Sequence, residues 1–204
     1  NFMPRALSPS EVDDFRDRLC EAATRLFAEK GADGFTLRQL TSELGVSPMT
    51  PYRYFKDKDD ILATVRARAF DLFSDELERA YDSKTSPMEG AAAVGLAYEH
   101  FARTHAQAYK LMFDVSQPTE DNYPDLVRAG DRARKTLTRH LEGLAKAGLI
   151  EGDPLLIGTV VWSALHGALM LQLAGKLPPE YDFARIRNEI FGIVAKGYGA
   201  TGQS

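Results

Sequence analysis

One segment, Thr36 to Leu62, constrains the fold more than the rest of the chain. Its sequence, TLRQLTSELGVSPMTPYRYFKDKDDIL, carries the signals of two short helices around a tight turn, then the start of a third. Thr36 is an N-cap residue, and Leu37, Leu40 and Leu44 give the helix after it one apolar face. Gly45 stands just past that helix, where a left-handed residue is wanted, and Val46 follows as a buried plug. Ser47-Pro48 opens the next helix as an N-cap with proline at the first helical position. Helix, short glycine turn, helix is a helix-turn-helix, whose second helix enters the major groove of DNA.

The rest of the chain continues in helical periodicity, with no alternating strand pattern. The first helix runs from about Ser10 to Lys30, with Phe15, Leu19, Ala22, Leu26 and Phe27 on one face. The fourth starts near Lys58 and continues to about Tyr81, linking the helix-turn-helix to the remainder. Further helices are expected at about 87–104, 106–114, 124–146, 153–175 and 180–198, with a polar loop over Ser116–Tyr123 and a tail from Gly199. The fold class is therefore all-α, with about nine helices. The expected domains are a three-helix DNA-binding part over 1–60 and a helical effector-binding and dimerisation part over 61–204.

Gly45, Val46, Ser47, Thr50, Tyr52, Tyr54, Phe55 and Lys58 stand in the pattern G-V-S-x-x-T-x-Y-x-[HY]-F-x-x-K. This resembles the TetR (TetR/AcrR) family of bacterial repressors. Trp162, His166 and Gly167 resemble the W-x-x-x-H-G signature of one subgroup's C-terminal domain. The resemblance implies that Pro48, Met49 and Arg53 face base edges, with Ser47, Thr50 and Tyr52 close to both bases and backbone. Pro48 and Met49 have no side-chain donor, so their natural partners are thymine methyls, whereas Arg53 is able to make a bidentate contact to guanine. Thr50, Tyr52 and Tyr54 have hydroxyls for phosphate oxygens. Lys58, Thr36 and Arg38 lie at helix N-termini, where free backbone N–H groups also favour phosphate. Tyr52 as a partly core residue and Arg53 as one half of a surface ion pair are the plainer readings. Pro51 departs from the family, which has an apolar residue there. A helix begun at Ser47 loses its first hydrogen bond at Pro51, but one begun with Thr50 as N-cap and Pro51 at the first position does not.

The resemblance further implies a homodimer on a palindromic DNA operator, with the helices at about 153–175 and 180–198 forming the interface. Gly158, Ala164, Gly167 and Ala168 would allow close approach, and Ile186, Ile190, Phe191 and Val194 would supply apolar surface. It also implies a pocket for a small-molecule effector in the C-terminal helices. Tyr98, Phe101, Tyr109, Met112, Phe113, Leu141, Trp162 and His166 are its candidate lining, and their scarcity of charge points to an apolar or aromatic effector. Ordinary core packing is the plainer reading for many of them.

Composition bounds the alternatives. The net charge is −4, and residues 1–60 carry nine basic against eleven acidic side chains, so any attraction to DNA is local. Over 36–58, Arg38, Arg53, Lys56 and Lys58 against Glu43 and Asp57 leave +2, a patch that calls for a dimer. The single cysteine, Cys20, gives no intramolecular disulfide framework and fits a reducing cytoplasm; its neighbours Leu19, Ala22 and Ala23 suit a small core residue. Asn1–Ser10 has no apolar stretch of a signal peptide. Pro154 to Gly175 has no charged residue and is long enough to span a bilayer. His166, Gln172, Thr159 and Ser163 argue instead for a helix buried all round, so no membrane partner is expected.

His100 and His105 are five residues apart and so miss the four-residue spacing of helical zinc sites. With no Gly-rich phosphate loop, nucleophile elbow or cysteine pair, no cofactor, metal or enzymatic activity is expected. A helical protein-interaction module explains the amphipathic helices but not Ser47–Lys58. An activator of the same fold is equally compatible with the sequence.

Overall fold

The computed structural model describes residues 9–31, 34, 36–114 and 120–199. Among them are eight α-helices, two one-turn 3-10 helices and one isolated β-bridge. The helices are α1 (Pro9–Lys30), α2 (Leu37–Glu43), α3 (Lys58–Asp82), α4 (Pro87–Thr104), α5 (Ala106–Met112), α6 (Pro124–Lys146), α7 (Pro154–Leu173) and α8 (Phe183–Tyr198). The expected ninth helix, the second of the helix-turn-helix, is only the 3-10 turn Pro51–Arg53. The start of the loop expected over Ser116–Tyr123, up to residue 119, lies outside the described residues. So do 1–8, with the reading of no signal peptide there, and the tail beyond Gly199.

The chain divides into two compact units. The first comprises Asn1–Phe70 and Gln107–Gly130. Its core gathers the apolar faces of α1, α2 and the start of α3: Phe15, Leu19, Leu26, Leu40, Phe55, Ile61, Leu62 and Val65, with Leu111 from α5. Tyr54 packs against Phe15, ring centroids 5.1 Å apart, so its ring is half core while its edge reaches the surface. Phe113 joins Phe70 and Tyr109 in edge-on contacts at 5.8 and 5.1 Å. Cys20 is buried in this core, and burial pushes its thiol up to about 11. A thiol so far from ionising is a small apolar residue rather than a redox sensor.

Arg66 of α3 is buried, and burial pushes its guanidinium down from the usual range. Its Nη2 donates to Glu120 Oε1 at 2.7 Å and to the Met112 carbonyl at 3.3 Å. Removing one partner of such a pair strands the other charge, whereas removing both does not. Glu120→Ala is expected to cost about 2 kcal/mol, discounted because Glu120 is a third exposed. Arg66→Met combined with Glu120→Ala should recover most of that loss. Urea unfolding of the two variants checks this, and a double variant no better than the single one would refute it.

The second unit comprises Asp71–Ala106 and Asp131–Ser204. Phe73 sits edge-on to Tyr98 and Phe101 of α4 at 5.6 and 5.2 Å, all three shut off from solvent. Charge joins the end of α3 to α6. Arg132 donates to Asp75 and to both oxygens of Glu78, Thr136 adds a bond to Glu78 at 2.8 Å, and Arg139 pairs with Asp82 at 2.7 Å. The Arg132 bonds hold the Glu78 carboxyl below its usual range. Asp153 and Asp182 cap α7 and α8, accepting from Leu155 and Arg185 backbone N–H groups. Arg187 of α8 bonds Glu99 of α4, and Glu151 N–H donates to the Tyr198 carbonyl at 2.7 Å.

α7 alone among the described helices is long and apolar enough to cross a membrane, with a third of it buried. Its inward residues are Ile157, Gly158, Val161, Leu165, Ala168 and Leu169. Leu155, Leu156, Val160 and Leu171 are exposed. Of the four small residues expected to let helices approach, Gly158 and Ala168 turn inward; a Cβ at Gly158 would meet the Thr138 methyl of α6 at 3.1 Å. Ala164 and Gly167 remain on the open face, with nothing near Gly167. The four small residues span half a helical wheel, so a single helix cannot present them all to one neighbour.

Candidate functional site

α2 is fixed at both ends by its own sequence. The Thr36 side chain accepts from Gln39 N–H at 3.2 Å, and Gln39 Oε1 accepts from Thr36 N–H at 2.9 Å. This is a reciprocal capping box. At the other end Gly45 has φ +65. Val46 N–H donates to the Thr41 carbonyl at 3.0 Å and Gly45 N–H to Ser42 at 3.2 Å. Those two bonds form a Schellman stop, and Val46 is half-buried against the core. The turn angle is thereby set by glycine and by the Val46 contact.

Beyond the turn, Ser47 Oγ accepts from Met49 N–H at 3.3 Å, and the Ser47 carbonyl accepts from Thr50 N–H at 2.9 Å. The helical turn itself starts later, with Pro51 at its first position and Thr50 before it. Thr50 makes no side-chain cap there. This is the later of the two starts that the sequence allows, and its cause is the missing N–H of Pro51. Pro51 and Phe55 are buried and hold the turn on the core. Ser47, Pro48, Met49, Tyr52 and Arg53 are exposed, and Thr50 and Tyr54 are half-buried. Tyr52 stays 50% exposed, which leaves its hydroxyl outside the core, and Arg53 has no ion-pair partner among the described residues. Met49 is 67% exposed, an unusual place for so apolar a side chain.

Thr36 and Arg38 are exposed at the start of α2. Lys58 is half-buried at the first position of α3. There the Asp57 carboxylate accepts from Asp60 N–H at 2.9 Å, and Asp60 accepts from Lys56 N–H at 2.9 Å. Two backbone donors that a phosphate would use are thus already taken, and Lys58 itself must supply more of any anion contact.

Two adjoining apolar cavities lie within the second unit. The larger of the two, about 240 Å³, is lined by Met88, Ala91 and Ala92 of α4, His140, Leu141 and Leu144 of α6, Leu149, Ile150, Val161, and Phe191, Val194 and Ala195 of α8, with Gly199. A smaller one, about 20 Å³, shares Ala91, His140, Val161 and Phe191 and adds Tyr98 and Trp162. Leu141, Tyr98 and Trp162 therefore come together around these spaces. Trp162 and His166 lie 6.0 Å apart, and burial pushes the His166 imidazole down. Phe101, by contrast, is closed into the core against Phe73 and His105. Tyr109, Met112 and Phe113 belong to the first unit, where α5 places them.

His140 is the one ionisable side chain lining the larger cavity, and it was not among the sequence candidates. The signal was present: Leu137, His140, Leu141 and Leu144 recur at helical spacing on the apolar face of α6. Its Nδ1 is buried without a hydrogen-bond partner, and the Thr136 backbone one turn back acts on the ring. Burial pushes the imidazole down to about 4. Phe191 and Val194, expected at the dimer interface, line this cavity. Phe191 fits because Gly95 opposite it has no side chain: a Cβ there would stand 2.8 Å from the Phe191 ring tip. No cluster of three metal-capable side chains occurs among the described residues.

Residues 19–65 match the family description "Bacterial regulatory proteins, tetR family", and residues 91–190 match "Tetracyclin repressor-like, C-terminal domain". The HTH-type transcriptional regulator HbdR of Aromatoleum sp. (strain CIB) is 27% identical over 170 residues, 79% of this chain and 74% of that protein. A protein of unknown function from Rhodococcus sp. RHA1 superposes with a TM-score of 0.79 at 25% identity, over 97% of this chain and 99% of the other. FadR of Bacillus subtilis, in complex with stearoyl-CoA, shares the fold with a TM-score of 0.74 at 19% identity, over 89% and 98% of the two chains. With a capped helix, a Schellman turn and an exposed reading edge in the first unit, and matched sequences in both halves, this chain belongs to the TetR family of helix-turn-helix transcriptional regulators.

Proposed function

We propose that the protein is a cytoplasmic repressor that binds a palindromic operator as a homodimer and leaves it when a small apolar effector occupies the cavity lined by His140. In this reading 1–60 supply the DNA-binding part and 61–204 the effector-binding and dimerisation part. The observation that carries it is the edge around Ser47–Arg53, held on a core by the buried Pro51 and Phe55 and bearing an exposed apolar Met49 beside an exposed Arg53 that has no ion-pair partner among the described residues. A merely solvated turn has no use for a methionine at its tip, whereas a thymine methyl gives it a partner. Tyr52 and Lys58, with Thr36, Arg38, Thr50 and Tyr54 around them, supply phosphate contacts that fix the register.

Two further features support the assembly. The exposed Leu155, Leu156, Val160 and Leu171 of α7 with Ile193 of α8 form apolar surface of the kind that a second subunit covers. The like-folded FadR is in complex with stearoyl-CoA, so this fold is able to house a guest that carries a long apolar chain. A ligand that prefers one spacing of the two DNA-binding parts shifts the dimer toward it by its differential affinity.

Selection from a randomised duplex pool at low salt, followed by sequencing of the retained DNA, tests the reading. The expected result is an inverted repeat whose half-site centres lie about 34–36 Å apart or a multiple of that. Each half-site should contain thymines and a guanine that Arg53→Ala no longer selects. A folded protein that retains no duplex at low salt would exclude the operator-binding reading.

A further inference from the structure

The cavity in the second unit specifies more than "apolar". None of its lining side chains is Lys, Arg, Asp or Glu, and His140 is its single side chain with a strong hydrogen-bonding group. A ligand carboxylate or phosphate buried here would find no fixed opposite charge, and an unpaired buried ion is costly. The volume is about 240 Å³. An engineered cavity of about 150 Å³ holds one benzene, so this one has room for about ten heavy atoms.

The polar end is set by His140. Its Nδ1 is shut away from solvent without a hydrogen-bond partner, and the Thr136 backbone one turn back favours a proton on the ring. In the neutral ring one nitrogen carries the proton and the other accepts. With the proton kept on the shut-away Nδ1, Nε2 is the nitrogen left to the cavity, and it offers a lone pair. The imidazole is held neutral by burial, which keeps that lone pair available through the neutral pH range. A guest that fills the apolar walls and carries no donor leaves Nε2 unsatisfied, and a guest that carries only acceptors repels it.

Resting on the effector reading above, we infer that the cavity takes a compact, uncharged molecule of about ten heavy atoms whose one hydroxyl donates to Nε2 of His140. A substituted phenol or a branched alcohol has this chemistry. The apolar part packs on Leu141, Leu144, Ile150 and Phe191, and the hydroxyl is buried with a partner instead of without one.

Three probes of nearly one shape test this: 4-isopropylphenol, 4-isopropyltoluene and 4-isopropylbenzoate. Trp162, the chain's one tryptophan, borders the adjoining cavity and reports binding by its fluorescence in the full-length protein. The hydrocarbon tests whether the cavity accepts a guest; the phenol tests His140. The expected result is that the wild type binds the phenol several-fold tighter than the hydrocarbon and the benzoate not measurably. In His140→Leu the phenol-to-hydrocarbon ratio should fall by about tenfold or more, because the hydroxyl is then buried unpaired. His140→Gln, which retains an acceptor oxygen, should restore part of the ratio. The wild-type ratio stands as a test even where a variant does not fold. Hydrocarbon binding without a phenol preference, or benzoate binding as well as the phenol, overturns this inference and leaves the effector cavity standing. Failure of all three to bind overturns both.

Discussion

Tyr52→Ala combined with Arg53→Ala is expected to weaken operator binding by about a thousandfold, from four lost contacts per dimer at about 1 kcal/mol each. The fold should be untouched. Both side chains are exposed on the 3-10 turn, while the residues that hold that turn, Pro51 and Phe55, are buried and unchanged. Exposed substitutions of this kind shift stability by only about 0.5 kcal/mol. The two losses differ in character. Removing Arg53 should relax selectivity at one base pair per half-site, whereas removing Tyr52 should weaken all sequences alike, as loss of a phosphate contact does. Fluorescence anisotropy with the selected operator and with one base-substituted duplex separates the two. Equal weakening by both single variants on both duplexes would remove Arg53 from base readout. A double variant that binds as tightly as wild type would remove the whole edge.

The second large effect is on stability in acid. His140 has an ordinary value of 6.5 and is held at about 4 by burial in the folded state. Above pH 6.5 both folded and unfolded chains carry it neutral, so its protonation adds no pH dependence. As pH falls from 6.5 to 4 the unfolded chain binds a proton that the folded chain refuses, and stability is lost through that window. The loss is about 3 kcal/mol at most and about 2 kcal/mol by pH 5, and it levels off below pH 4. His140→Leu removes the titrating group and should be flatter by that amount. The check is urea unfolding of wild type and variant at pH 7 and pH 5, at equal protein concentration. Parallel pH dependence in the two proteins would show that His140 is already protonated in the fold or free to take its proton.

The local geometry of the Thr36–Arg53 edge was legible because local chemistry dictates it. The Thr36 cap and the glycine at 45 act through neighbours within a few residues and do in the structure what their types favour, whereas Ser47 accepts from Met49 N–H without opening the helix. Pro51 was legible as a conflict with two resolutions, and the absent N–H decides for the later start. Sequence reasoning carried less weight in the second half. Tyr109, Met112 and Phe113 have the composition of a pocket wall, but α5 belongs with the first unit, a partition that no local pattern encodes. His140 was passed over because histidine is weighed by its spacing from other histidines, whereas its role comes from the leucines around it. Phe191 and Val194 also line the cavity, and the amphipathicity of α8 does not say whether an apolar face meets its own chain or a partner.

Gly95 gives the proposed effector site a control that lies outside its larger cavity. The Phe191 ring occupies the place that a side chain at 95 would take, so ring position and backbone at α4 compete for one volume. A single methyl at 95 must drive the ring tip away, and the ring's other side is the cavity wall. Guest size is therefore adjustable by one carbon at a residue that a guest in the larger cavity never touches. Relatives that differ at these two positions alone would sort molecules by girth while reading the same operator.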